Sequence, residues 1–450
     1  MNRALWLRGD LRLGDHAGFA TLPQSGDDVI VFFNLDPHLQ HRLIPSKHAY
    51  LLSALKELDD QLAGGLTLFH CDPTTELPLL LSRNGVTKVV THASVSPLQR
   101  RSLEASSQAM KGYGITLEYL DSPYAVAPGT LHVHHSHESP KGYRVYSPFY
   151  RAWRPHALDS RPFGRPTSLT VAPRHRAFEL PRTTTVGGET RALSDLNNFL
   201  TQRSARYQKD RNFPGLTATS WLSTHLHFGT IHPRTIIAAL TPHDETFLSE
   251  LAWREFYADV LFRDPLAVNR EIDPRFRTMT WRQEPDGPDL LRAWKDGMTG
   301  FPLVDAGMRE LAATHLMHNR VRMITASFLV KDLHFDWRIG ARYFEDQLLD
   351  GDIASNRLNW QWVAGTGTDA APYYRVFNPT LQSIKFDPHG DYIKRWVPEL
   401  RNLQGNAVHD PSSHINPISV GYVPPVIDHG TERAEALRLY SEAKLTGKHG

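Results

Sequence analysis

Two hydrophobic periods divide the chain. Over roughly the first 120 residues, short apolar runs at Ala4–Leu7, Val29–Asn34, Leu66–His70, Lys88–Thr91 and Ile115–Tyr119 read as buried strands. Amphipathic stretches between them, among them Ser46–Leu62 and Leu98–Lys111, carry helical spacing. This alternation predicts a parallel sheet with helices on both faces, because parallel strands are joined by crossovers that cover the sheet. From about Ser122 to Glu189 the periodicity lapses in a segment rich in Pro, Gly, Arg and His, which reads as a connector. From Thr190 onward helical spacing returns, in Leu196–Ala205, Ile231–Leu240, Phe247–Phe262, Pro288–Asp296, Val304–His315, Arg320–Phe335, Gly340–Leu349 and about Arg433–Lys444. The pattern predicts an α/β N-terminal domain with a five-stranded parallel sheet (residues 1–125), a connector (126–189) and an all-α C-terminal domain (190–450).

Composition narrows this little. At 450 residues, two domains are the prior. No apolar run is long enough to span a membrane, and the opening MNRALWLRGDLR lacks the apolar core of a signal peptide. Cys71 is the only cysteine, so no intrachain disulfide exists and a cytoplasmic protein is the simplest reading. Net charge is +2, but between Ser139 and Arg182 nine Lys/Arg face two acids. That stretch is either a solvated connecting segment or a rim that attracts phosphates. The histidines of His132–His137 have no acid or cysteine framework beside them, so they read as a surface loop and no metal site is expected. The first strand is followed by Arg8-Gly9-Asp10-Leu11-Arg12 in place of GxGxxG, so a Rossmann-like layout here does not imply an ordinary dinucleotide site.

Four clusters carry candidate chemistry. On a helix, Glu250, Trp253 and Arg254 share a face, which combines an acid, a stacking surface and a cation. It suits a flat heterocycle attached to phosphate, or an ion pair packed under an aromatic. Asn319, Arg320 and Met323 share another face; Arg320 and Arg322 point to roughly opposite sides, and an inward arginine needs a carboxylate. Asp352 and Asn356, four apart, project together and can hydrogen-bond the polar edge of a ring system, while Trp360 and Trp362 diverge. The run Ala364–Asp369 is glycine-rich but lacks the P-loop lysine and reads as a close-packed turn. The hydroxyls of Thr217–Ser223 read as a helix cap or a phosphate site. Nine of the ten tryptophans lie from Trp153 onward, as core or as an electron relay.

Together these pieces resemble the DNA photolyase/cryptochrome family over nearly the whole chain. The most specific stretches are Trp294–Leu333 and Asp336–Asp387, the latter containing WQWVAGTGTDAAPYYRVFNP. The resemblance implies that the C-terminal domain holds FAD. Carried over residue by residue, Tyr207, Thr219, Ser220, Leu222 and Ser223 match phosphate-side contacts, and Arg322, Asp350, Asp352 and Asn356 match contacts near the isoalloxazine. Asp350 is the candidate partner of Arg322. Asn356 matches the position facing flavin N5, where asparagine favours the reduced and neutral radical forms. Trp360, Trp337 and Trp281 match an electron chain, proximal to surface. Glu250, Trp253, Asn319, Met323 and Trp362 match the pocket of class I cyclobutane pyrimidine dimer photolyases; Met323 stands where the (6-4) branch has histidine. Arg211, Arg254, Arg320, Arg375 and Lys385 match positions near the damaged strand. The implied activity is that of a carbon–carbon lyase acting on UV-damaged DNA, monomeric and cytoplasmic, with a cryptochrome-like photoreceptor or a (6-4) photolyase as alternatives. The end at Gly450, without the long extension of many signalling cryptochromes, favours repair.

The family also implies an antenna in the α/β domain, a deazaflavin or a folate. The loop Ala93–Pro97 lacks the Asn–Glu contacts of a folate ligand, which favours a deazaflavin or no antenna. Three places depart from the pattern. Arg357-Leu358-Asn359 replaces Asn-Gly-Gly beside the flavin position, His315-Leu316 replaces Gly-Trp, and Trp221 replaces a smaller or basic residue.

Overall fold

The computed structural model describes the chain except residues 1, 23–28, 41–42, 121, 134–141, 167–170, 172–174, 181–186, 370–373 and 447–450. His134–His137 of the histidine-rich stretch therefore lie outside the described residues. Two compact units emerge: residues 1–205 with 220–265, and residues 206–219 with 266–450.

In the first unit, β1 (Asn2–Leu7), β2 (Val29–Asn34), β3 (Thr67–Phe69), β4 (Val86–Thr91) and β5 (Thr116–Tyr119) form one parallel sheet in the order β3-β2-β1-β4-β5. Ala4 pairs with Ile30 and Val89, and Trp6 with Phe32 and Thr91. Every residue of β2 is buried, which is why this strand reads as a continuous apolar run and not as an alternation. The edge strand β5 is mostly exposed and correspondingly polar. The crossovers include α1 (Pro45–Gln61) and α2 (Pro97–Lys111), the latter capped by the Ser96 side chain.

The stretch read as an aperiodic connector contains a helix, α3 (Tyr146–Asp159). It buries Phe149, Trp153 and Ala157, a four-residue spacing that Pro155 and the surrounding basic residues mask in the sequence. It packs on α4 (Glu245–Arg263). The buried Glu255 of α4 accepts from the backbone N–H groups of Ala125 and Val126 and from Trp153 Nε1 (2.6, 3.0 and 2.6 Å), tying both segments to one helix.

The second unit is helical. Its core gathers Trp281, Trp294, Phe328, Trp337, Phe344 and Trp360 with many aliphatic side chains. The elements that matter here are α5 (Pro302–Thr314), α6 (Asn319–Ser327), α7 (Trp337–Gln347), α8 (Ile353–Ala364), α9 (Pro379–Phe386) and α10 (His429–Thr446). The sequence predicts one helix over Arg320–Phe335, but α6 gives way at Phe328 to a π-helical turn ending at Asp332. All five residues of that turn are buried, so no polar face marks the change of pitch. In it Lys331 Nζ donates to the Arg375 carbonyl (2.5 Å) and lies 4.2 Å from the Tyr374 ring centre. The glycine-rich run after α8 is a close-packed turn, as its composition implies. Gly365 closes the helix at φ +77, and a side chain there would meet the Tyr374 ring at 2.9 Å. Among the described residues no helix is long and apolar enough to cross a membrane.

Candidate active site

The second unit contains a cavity of about 640 Å³ including the solvent at its opening. Eight residues singled out in the sequence line it: Asn319, Arg322, Met323, Asp350, Asp352, Asn356, Asn359 and Trp360. Asn319, Arg322 and Met323 come from the first turns of α6, which His318 caps by accepting the Arg320 N–H on Nδ1. Burial, with Arg322 and Arg320 close by, lowers the His318 pKa to about 4, so it caps as a neutral ring.

Of the two arginines that the helical offset sets apart, Arg322 is the one that lines the cavity and meets a carboxylate. Its Nη2 donates to both oxygens of Asp350 (3.0 and 2.9 Å) and its Nε to the Met317 carbonyl (2.8 Å). The Asp350 side chain is 3% exposed, so this pair places a neutralised charge at the cavity wall. Asp352 caps α8 by accepting from Ser355 N (2.7 Å), and Asn356, one turn further, donates Nδ2 to the Ala341 carbonyl (2.8 Å). Trp360 packs edge-on against Phe344 and Trp294, with ring centres 5.1 and 6.4 Å away.

The other two tryptophans of the expected chain belong to the same core as Trp360. Trp337 is fully buried, and its Nε1 donates to Glu271 (3.2 Å), which also receives Arg338 (2.7 Å). Trp281 is 9% exposed, against 2% for Trp360 and none for Trp337, so the residue expected outermost is the most accessible of the three although still largely buried. Trp362 is half-buried, donates to the Asp369 carbonyl (3.1 Å) and is not among the residues lining the cavity. Tyr207 is buried beneath the Arg211 guanidinium (5.5 Å), and Thr219 is half-buried. Arg320 donates to Asn212 (2.6 Å) and lies over Phe386, as does Lys385 of α9.

The remaining candidates lie in the first unit. Trp253 on α4 stacks face to face on Tyr146 (3.7 Å, 4°), and Arg254 lies over Tyr124 (4.5 Å) and donates to the Leu226 carbonyl. Glu250 stands one turn before Arg254 on the same helix. Of the hydroxyl-rich run, Ser220 Oγ accepts from Leu222 N (3.3 Å), the Leu222 side chain is buried and Ser223 is exposed. The N-cap is Trp221, in the left-handed region at φ 61 and without a capping side chain, so the Ser220 hydroxyl stands one residue before the cap.

Sequence reasoning missed part of the lining. Ser355 and Val363 also line the cavity and share the face of Asp352, Asn356 and Trp360, so the helical period could have found them. Phe344 and Leu348 arrive from α7 and its end, and only tertiary packing brings them there. In the first unit, the buried Asp10, His16 and His92 place three potential metal donors within 4.8 Å. His16 Nδ1 accepts from Gly18 N (3.0 Å), so its proton sits on Nε2, which faces Asp10 (2.8 Å); that ring offers a metal no free lone pair. Burial pushes the Asp10 carboxyl up, but His92, His16 and the Arg8 N–H outweigh it and hold it well below the usual range.

A cavity with an aromatic wall, a paired arginine and clustered amide and carboxylate acceptors suits a flat, polar-edged ring such as a flavin. The family models agree. The model "DNA photolyase" matches residues 3–167, and "FAD binding domain of DNA photolyase" matches residues 247–442. The deoxyribodipyrimidine photo-lyase of Agrobacterium fabrum is 36% identical over 98% of both chains, and that of Vibrio cholerae 34% over 98% of this chain and all of the other. Among solved structures, a class III photolyase from Agrobacterium tumefaciens superposes with a TM-score of 0.89 at 34% identity, covering 99% of this chain and 98% of the other. A Synechocystis cryptochrome gives 0.83 at 26%, covering 97% and 99%. The chain belongs to the DNA photolyase family, and its cofactor is FAD. The cavity fits the flavin. Arg322 offers N–H donors, Asp350, Asp352 and the Asn356 amide offer acceptors, and Trp360 offers an aromatic wall.

Proposed function

We infer that this chain repairs cyclobutane pyrimidine dimers in DNA using light. The observation that carries the reading is the cavity that gathers Arg322, Asp350, Asp352, Asn356 and Trp360 in a chain similar to photo-lyases over its full length. Bound FAD supplies the photoexcited electron donor. The rest is the work of the chain. Arg322, Asp350, Asp352 and Asn356 hold the polar edge of the ring, and Tyr207, Thr219, Ser220, Leu222 and Ser223 its phosphate side. A dimer pairs and stacks poorly, so it is flipped out at low cost; Trp253 and Trp362 are each candidate stacking surfaces for it, and Asn319 and Met323 candidate contacts. Glu250 hydrogen-bonds the dimer and stabilises negative charge developing on it. Trp281, Trp337 and Trp360 pass electrons inward, and Arg211, Arg254, Arg320, Arg375 and Lys385 bind the backbone of the damaged strand.

The lesion-pocket residues are the reason to place the chain with class I enzymes, although a class III enzyme is among the structures similar to it. The accompanying domain assignment is 1–125 for a candidate antenna domain, 126–189 for a connector and 190–450 for the catalytic domain. The antenna is a deazaflavin, or absent; a Sulfolobus tokodaii photolyase with a TM-score of 0.82 is described with two FAD molecules. The protein works as a monomer in the cytosol, with the nucleoid. The second reading is a cryptochrome-like photoreceptor, which the Synechocystis similarity favours; Met323 argues against (6-4) repair.

The test is illumination of the chemically reduced protein with oligonucleotides carrying a cyclobutane thymine dimer or a (6-4) product. Recovery of intact thymines from the first is expected. Repair of the second alone, or flavin absorbance with no repair of either, overturns the reading.

A further inference from the structure

The Asn356 amide has neighbours that the assigned site does not use. Nδ2 donates to the Ala341 carbonyl (2.8 Å) and, more weakly, to Glu345 Oε1 (3.4 Å). Both acceptors lie on one side of the amide. A flipped amide would set its oxygen against a carbonyl and a carboxylate, so the amide oxygen is the polar atom left for the cavity that Asn356 lines. Glu345 is itself held. Its Oε1 accepts from Arg357 Nε (2.5 Å) and its Oε2 from Arg357 Nη2 (2.6 Å), a two-point fork that fixes the carboxylate plane. The pair is largely buried, at 8% and 20% exposure, where a salt bridge is a poor source of stability. It also lies at the departure from the family pattern, since Arg357 directly follows Asn356.

We propose that Glu345, held by Arg357, is a positioning residue for Asn356, keeping the amide oxygen toward the flavin and strengthening it as an acceptor. This rests on the FAD reading above. An acceptor at that position pairs with flavin N5 only when N5 carries a hydrogen, so it favours the reduced cofactor. The anionic neighbour adds to the preference by polarising the amide it accepts from.

The experiment uses the full-length holoprotein and two charge-balanced double variants. Glu345→Gln with Arg357→Leu keeps an acceptor for Asn356, and Glu345→Leu with Arg357→Leu removes it at nearly the same volume. Neither residue is among those lining the cavity, so both variants are expected to retain FAD, measured by absorbance. The readout is the equilibrium of bound-flavin reduction, titrated against a dye of known potential. The Leu/Leu variant shifts it toward the oxidised form by up to roughly tenfold, the most that one hydrogen bond of about 1.4 kcal/mol carries; the Gln/Leu variant, which keeps an acceptor but loses the anion, shifts it by less. In an Asn356→Ala background the two variants become equal. Equal potentials with Asn356 present, the same difference without Asn356, or loss of FAD by both variants overturns the proposal. These outcomes differ from failure of the functional reading, which shows as a parent protein that holds no flavin or repairs no dimer.

Discussion

A methyl group at Gly340 would lie 2.2 Å from the Trp360 ring and 2.6 Å from Leu329. The ring cannot remain in place if residue 340 has a side chain, although alanine is the better helix former. Gly340→Ala is therefore expected to cost about 1–3 kcal/mol through overpacking and to reduce flavin photoreduction by moving Trp360. Urea unfolding and photoreduction kinetics check this, and a variant equal to the parent in both contradicts it. A second residue-scale prediction concerns acid. Burial lowers both His16 and His318 to about 4, against about 6.5 unfolded. Between those values the unfolded chain binds more protons, so stability falls as pH falls through that window, by up to about 1.4 kcal/mol per pH unit for each group. Above the window these groups contribute no slope. Unfolding midpoints at pH 7.5 and pH 5 test it, and His318→Asn, which keeps a capping acceptor, should reduce the difference. Equal midpoints in the parent would contradict the assignment. None of this was visible in the sequence, where Gly340, His16 and His318 carry no pattern. Asp352 and Asn356 were visible because helix geometry alone puts residues four apart on one face.

The cavity is assembled by α6, α7, α8 and the loop before α8, and the three expected relay tryptophans sit on different segments of one core. Of the three, Trp360 is the one that also lines the cavity, so it is the relay member whose loss should isolate electron supply from repair. Trp360→Phe should lose most photoreduction yet repair dimers when the flavin is chemically pre-reduced. Loss of both would contradict the division of roles. Elements were legible where one face is buried and the other wet, as in α2 and α7. They were not where burial is complete, as in the π-helical turn, or where a proline interrupts a buried stripe, as in α3. The Arg357–Glu345 pair is the same lesson at the site. The sequence marked Arg357 as a departure, but its partner stands twelve positions earlier on another helix, a relation that only folding defines.

At the scale of the molecule, a net charge of +2 gives no indication of a polyanionic partner. Binding must then come from placed cations. Replacing Arg211, Arg375 or Lys385 by Ala should each flatten the slope of log affinity for damaged DNA against log salt by about 1, without changing lesion preference. Unchanged slopes would remove these residues from the interface. Overall class was legible from end to end because strand and helix periods differ so plainly. The division into compact units was not, because residues 206–219 group with 266–450 and not with their sequence neighbours. That interleaving has a practical outcome for anyone dissecting the protein. Cutting after residue 265 strands Tyr207, Arg211 and the Asn212 that holds Arg320 on the wrong fragment, and cutting after 205 deprives the sheet-bearing half of α4 and its Glu255. No single break in the polypeptide yields two complete pieces, so split versions can regain function only by complementation.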